Sequence, residues 1–274
     1  MILEVIILGT FKMYGEFSRK SFQRAAAYRF DAWTRIIGNV MFLFMWGFIW
    51  YGLYHGKGEV EGVSFQAMLS YILISQALQG LHGAGTPLWE IQERVRTGDI
   101  AMEMLRPYDY PTRMLFSDFG SITFYFMTAI VPLYTVLFLV LKPVVPTSFS
   151  QGGLFVVSAI LGYLIRYCIE LTFGLFTFWL VETGGVEDIF YFAISLFSGS
   201  VIPLWFFPGW LEQVAGYLPF QGIFFVPNSI FVGQLTGQAV WDALLSQVIW
   251  LLICYAILRF VWAKASMKIV IQGG

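Results

Sequence analysis

Charge is scarce in this sequence. Only 12% of its 274 residues are Asp, Glu, Lys or Arg, whereas 58% are hydrophobic. An ordinary soluble domain carries about 25% charged residues. So little charge cannot cover a water-facing surface, and the chain reads as an integral membrane protein. The net charge of -1 offers neither a basic surplus for nucleic acid nor an acidic tail. Cysteine is scarce too. Cys168 and Cys254 both sit inside apolar runs, which argues against a disulfide framework and against metal-ligand spacing. The two histidines, His55 and His82, are not paired at ligand spacing. A phosphate-binding loop is missing, since Gly52 to Gly58 ends in Gly-Lys-Gly with the wrong spacing. No paired carboxylates or nucleophile–base set stands out, and no long soluble stretch could house a nucleotide site. The chain is therefore not expected to be an enzyme by itself. Met1 to Thr10 lacks a basic flank before its apolar run and does not read as a signal peptide.

What is present are long stretches free of charge. A helix needs roughly 20 apolar residues to cross the bilayer core. Ile36 to Gly56 provides a first span, Gly62 to Trp89 holds a second, and Phe119 to Leu141 gives a third. A fourth lies between Pro143 and Val181, interrupted by Arg166 and Glu170. Ile189 to Leu211 reads as a fifth, and Ala243 to Leu258, extended at both ends, as a sixth. The charge-free stretch Gln213 to Trp241 carries Gly216, Pro219, Gly222, Pro227, Gly233 and Gly237. Proline breaks a helix interior, and bare loops facing lipid leave backbone groups unpaired. Pro203 to about Gly237 thus reads as short broken helices dipping into the outer leaflet or packed on other spans. A seventh full span is the competing reading.

Basic residues set the orientation. Lys12, Arg19, Lys20, Arg24, Arg29 and Arg35 precede the first span, and Arg94, Arg96, Arg106 and Arg113 lie between the second and third. Arg259, Lys264 and Lys268 close the chain, so thirteen of the sixteen basic residues fall on one side. That side is expected to be cytoplasmic, together with both termini. The connection with Glu182, Glu187 and Asp188 is the exception.

Four features stand out beyond the spans. Phe11 to Trp33 alternates Arg19, Lys20 and Arg24 with Phe17, Phe22, Ala25, Ala26 and Phe30. At helical spacing this gives an interfacial helix with one basic face toward lipid phosphates; a plain positive flank is the other reading. The loop from Glu90 to Pro107 pairs Glu90 with Arg94 at i,i+4. Gly98 can end one short helix, Asp99 can cap a second and Pro107 can stop it. Ile100, Met102, Met104 and Leu105 are then expected to be exposed, with Arg94 and Arg96 among the contacts, as a docking surface for a cytoplasmic partner. An ordinary connecting loop is the alternative. The broken segment Pro203-Leu204-Trp205-Phe206-Phe207-Pro208-Gly209-Trp210 runs on to Leu218-Pro219-Phe220. Trp205, Trp210 and Tyr217 favour the headgroup level, either as a belt without a part in transport or as part of an outer hairpin. Finally, Arg166 and Glu170 are four apart inside a span, where an unpaired charge costs about 3 kcal/mol. They are expected to pair, either as a structural tie or as part of a transport path.

In this order the residues resemble the membrane subunit of type-2 ABC exporters. Leu105-Arg106-Pro107 closing the loop, Gly199-x-x-x-Pro203-Leu204 with Phe207-Pro208 and Leu218-Pro219-Phe220, and the tail Ile271-Gln272-Gly273-Gly274 carry the resemblance. The tail points to a bacterial subfamily of permeases ending in Val/Ile-Gln-Gly-Gly. The first ten residues depart from the pattern. The resemblance implies one all-α transmembrane permease domain of six helices over residues 1–274, in a bacterial inner membrane. It implies a partner ATPase chain that holds ATP and Mg, with no cofactor in this chain. It further implies a second permease, identical or related, and outward movement of an apolar or amphiphilic substrate by alternating access. Glu90, Arg94, Arg96, Asp99, Met102, Leu105 and Arg106 would then couple to the ATPase. The alternative is an ion-coupled transporter or channel that uses Arg166 and Glu170 as a relay.

Overall fold

The computed structural model describes residues 2–85, 88–180 and 184–272. Glu182 and the closing Gly273-Gly274 lie outside the described residues, as do the side chains of Arg29, Phe30, Met104, Ile271 and Gln272.

Helix α1 (Ile2–Ala27) is separated from α2 (Arg29–Tyr54) only at Tyr28. The interfacial helix expected over Phe11 to Trp33 therefore ends sooner, and its last residues belong to α2. Nor does α1 stand free. It lies on α6 (Tyr110–Tyr125) so closely that a Cβ at Gly120 would sit 2.0 Å from the Ser18 carbonyl oxygen. The Ser21 and Ser121 hydroxyls meet at 2.7 Å, and Tyr14 stacks on Phe116. Small residues at the crossing make this approach possible.

Helix α2 presents Phe42, Phe44, Phe48 and Ile49 outward and buries Leu43, Trp50 and Tyr54. Two short strands, Glu59–Val60 and Val63–Ser64, form a hairpin turning at Glu61 and Gly62, both with positive φ, as a two-residue primed turn requires. Ser64 then caps α3 (Phe65–Gly83) by accepting from the Ala67 amide at 3.2 Å. Helix α3 carries Ser70, Ser75, Gln76 and His82, all buried. Polar side chains in a membrane protein are placed in the bundle interior, as these are.

Among the described residues, four helical stretches are long and apolar enough to cross a membrane: Thr34–Tyr54, Tyr110–Leu141, Phe149–Phe178 and Gln238–Lys268. The second joins α6 to α7 (Val131–Leu141) through a π turn at Phe126–Ile130. Pro132 follows that turn and has no N–H to give, so the ladder widens ahead of it. The third contains α8 (Phe149–Leu175), capped by Ser148, and the fourth is the core of α12 (Gln238–Gln272). Gln247 of α12 is buried against α8 and donates to the Ser158 carbonyl at 3.0 Å.

The fifth span departs from its expected bounds. Instead of running from Ile189 to Leu211, α9 covers Gly184–Phe197, a helix of about 21 Å at 1.5 Å per residue. Gly199, at φ +71°, turns the chain out of the helix. A single helical turn at Leu204–Phe206, α10 (Gly209–Gly216), another turn at Pro219–Gly222 and α11 (Phe225–Phe231) come next. The segment goes inward and comes back. Its Gly222 carbonyl lies against Gly162, midway along α8, where a Cβ would be only 2.5 Å away. Its Ile230 carbonyl accepts from Gln151, near the start of α8, at 2.7 Å. Tyr71 and Ser75 of α3 donate to the Gly199 and Ser200 carbonyls at 2.7 and 2.6 Å. Irregular backbone at this depth is tolerated because protein side chains satisfy it.

Candidate functional site

At the end of the bundle opposite the β-hairpin, α4 (Leu88–Thr97) and α5 (Asp99–Met104) form an elbow. Gly98 makes the bend at φ +79°, a left-handed conformation open to glycine at little cost. Asp99 does not cap α5. It is the first helical residue, and its carboxylate accepts from the Thr97 hydroxyl at 3.0 Å.

A row of charges fixes the elbow. Arg94 donates to Glu90 at 2.8 Å and to Glu103 at 2.7 Å, joining α4 to α5. The other Glu103 oxygen lies 2.8 Å from Arg113 of α6, and the Tyr108 hydroxyl donates to it at 3.3 Å. The Arg113 guanidinium stands over the rings of Phe17, Tyr108 and Tyr110 at 5.3–6.0 Å. Burial pushes the Arg94 pKa down, but its carboxylate partners outweigh that and raise it. Beside this row, Asp109 caps α6 by accepting from the Thr112 amide and takes a 2.6 Å bond from Arg259 of α12. Burial pushes the Asp109 carboxyl up, yet Thr112 and Arg259 hold it below its ordinary value. The elbow is thus pinned to α6 through Glu103 and Arg113, and to α1 through Glu90 and Arg24 at 3.9 Å, while its far face stays open. Arg96, Asp99, Arg106 and Pro107 are exposed, and Met102 and Leu105 are 66% and 81% exposed. Ile100 differs from its expected exposure. It is 1% exposed, because α5 turns that face onto the bundle.

Behind the elbow lies the charge pair of α8. Arg166 donates to Glu170 at 2.8 Å, and its Nη1 is 3.3 Å from His82 Nδ1. A small cavity here is lined by His82, Asp118, Tyr163, Arg166, Tyr167 and Glu170. Leu88 and Ile91 of α4 close its wall. The same two residues pack into Gly174 of α8, where a Cβ would meet them at 2.9 and 3.2 Å. Gln92 reaches Glu187 of α9 at 3.3 Å. The loop and the charge pair, separate in the sequence, are therefore neighbours. The outer residues are not part of this site. Pro203 is buried, Trp205, Phe207 and Pro219 are half-buried, and Pro208 and Trp210 are exposed, all along the broken segment.

Sequence patterns alone leave Glu103, Arg113, His82 and Asp118 out of the site. Glu103 is nine residues from Arg94, beyond any helical pairing rule, and Arg113 looks like one more flanking cation. His82 has one visible signal, a polar residue in a charge-free run. Among the described residues no group of three or more His, Cys, Asp or Glu is placed to hold a metal.

Long apolar helices around a polar interior, with a charged elbow at one end, define a multi-pass helical membrane protein. Its sequence is more specific than its architecture: residues 40–273 match the family model described as ABC-2 family transporter protein. The chain belongs to that family and is a membrane transport subunit of the ABC type. No curated protein matches it.

Proposed function

We propose that the chain is the permease of an ATP-driven exporter. It pairs with a second permease and moves an apolar or amphiphilic substrate outward. The observation that carries this reading is the α4–α5 elbow. It is held rigidly from within by Glu90, Arg94, Glu103 and Arg113 and offers Arg96, Met102, Leu105 and Arg106 to a partner. A transport subunit without a nucleotide site needs such an element to receive force. ATP and Mg belong to the partner ATPase, which docks here on the cytoplasmic side. In this reading the crossings number six, with α3 and α9 completing the four long spans, and both termini are cytoplasmic. The scarcity of charge along the spans favours an apolar or amphiphilic cargo. The Arg166–Glu170 pair is closed in by α4, which favours a part in coupling over an ion relay. Affinity purification in mild detergent tests the reading. An ATP-hydrolysing chain should come with this one, and a preparation that transports substrate without any such chain would overturn it.

A further inference from the structure

The innermost point of the re-entrant segment lies on the charged pair behind the elbow. Phe224, 2% exposed, sits at the turn into α11. Its ring centroid is 5.0 Å from that of His82, and the Arg166 guanidinium carbon stands 5.9 Å from its centre. An arginine over an aromatic face at this distance attracts it. The rest of the tip touches α8 and α12 through neutral groups: Gly222 packs on Gly162 and accepts from Gln247 at 2.7 Å. Phe224 is therefore where the segment meets charge. Backbone hydrogen bonds also tie Phe224 and the residue after it into the segment. The Asn228 amide donates to the Phe224 carbonyl at 3.0 Å, and the Phe225 amide donates to the Ser198 carbonyl at the end of α9 at 2.9 Å.

On the other side, Arg166 is held by Glu170, one turn of α8 away from Gly174, against which α4 packs. The contacts are thus continuous from α4 through Gly174, Glu170 and Arg166 to Phe224 and the re-entrant segment.

We propose that Phe224 is a positioning residue, packed against both Arg166 and His82, through which movement of the α4–α5 elbow reaches the re-entrant segment. The proposal deepens the export reading by naming the link between its two ends. Spatial continuity alone does not demonstrate coupling, and a double-mutant comparison does. The readout needs no ATPase, so failure of this link and failure of the export reading are separate results.

Ser229, 1% exposed in α11, is replaced by cysteine in a Cys168→Ser, Cys254→Ser chain reconstituted in lipid nanodiscs. Its rate of reaction with N-ethylmaleimide reports loosening of the segment. Phe224→Leu and Arg166→Met should each raise that rate by about tenfold, the scale of typical coupling energies. The double variant should react no faster than the faster single one. Phe224→Trp, which keeps an aromatic face, should react as the parent does. Phe190→Leu removes an aromatic stacked on Phe173 at 4.0 Å, outside the segment, and should leave the rate unchanged. Independent, multiplying effects of Phe224→Leu and Arg166→Met would overturn the link. So would no response to Arg166→Met, or an equal response to Phe190→Leu. If Phe224→Leu fails to fold, Glu170→Gln replaces it beside Arg166→Met. Acceleration by both then supports the link, and silence overturns it.

Discussion

Arg166 and Glu170 illustrate how enclosure in a helical bundle disciplines single residues. Each side chain is largely enclosed, at 16% and 20% exposure. Removing one partner of a buried ion pair leaves an uncompensated charge and costs about 3–5 kcal/mol, whereas removing both costs far less. Arg166→Ala should therefore lower the thermal midpoint more than Arg166→Ala with Glu170→Ala, as read by thermal unfolding in detergent. Equal losses would mean that the two side chains do not depend on each other. The same reasoning applies to Arg94. Its two bonds to Glu90 and Glu103 make it a support inside the elbow, so it is a poor probe of the elbow's outer face. Arg96 and Arg106, both exposed, are the better probes.

At the scale of elements, the crossing of α1 and α6 depends on a missing side chain. At Gly120 an added methyl would meet backbone, the Ser18 carbonyl oxygen at 2.0 Å, and backbone cannot rotate away. Gly120→Ala should cost about 1–3 kcal/mol by overpacking. Gly15→Ala, with nothing within 4 Å, should be neutral or stabilise α1 by up to about 1 kcal/mol. Thermal midpoints of the two variants measure the contrast, and similar values would mean that α1 does not dock as described. Much of this level is legible in the sequence. Length and scarcity of charge reveal α2, the α6–α7 rod and α12, because lipid demands both, and α8 despite its Arg166 and Glu170. Proline and glycine mark the broken segment, because backbone in lipid must be helical or held by protein. The end of α9 at Phe197 is hidden, since Ser198 to Ser200 carry no charge and extend the charge-free run without extending the helix. The burial of Ile100 is hidden too, since it depends on which way α5 faces after Gly98. The convergence of His82, Arg166 and Phe224 joins three distant stretches, and no local pattern signals it.

For the whole molecule, orientation and coupling are one question. The exposed elbow can meet an ATPase only if its end of the bundle is cytoplasmic. A phosphatase reporter active only outside the cytoplasm should be silent after Gly274 and active near Lys142. An active C-terminal fusion would mean seven crossings, with Gln213 to Trp241 as a full span, whereas a silent reporter near Lys142 would remove the elbow from the ATPase side of the scheme.

The most direct measurement concerns the elbow's open face. Charges at an interface, once desolvated, contribute a few kcal/mol to binding. Arg96→Glu with Arg106→Glu alters that face without touching the Glu90–Arg94–Glu103–Arg113 row, and Lys57→Glu, at the opposite end, serves as the control. Co-purification of the ATPase and substrate-stimulated ATP hydrolysis are measured for both. The double elbow variant should fold with an unchanged thermal midpoint yet lose most of its bound ATPase and its stimulated hydrolysis, while Lys57→Glu keeps both. If the elbow variant folds and retains its ATPase and its coupled hydrolysis, the elbow is not the docking surface.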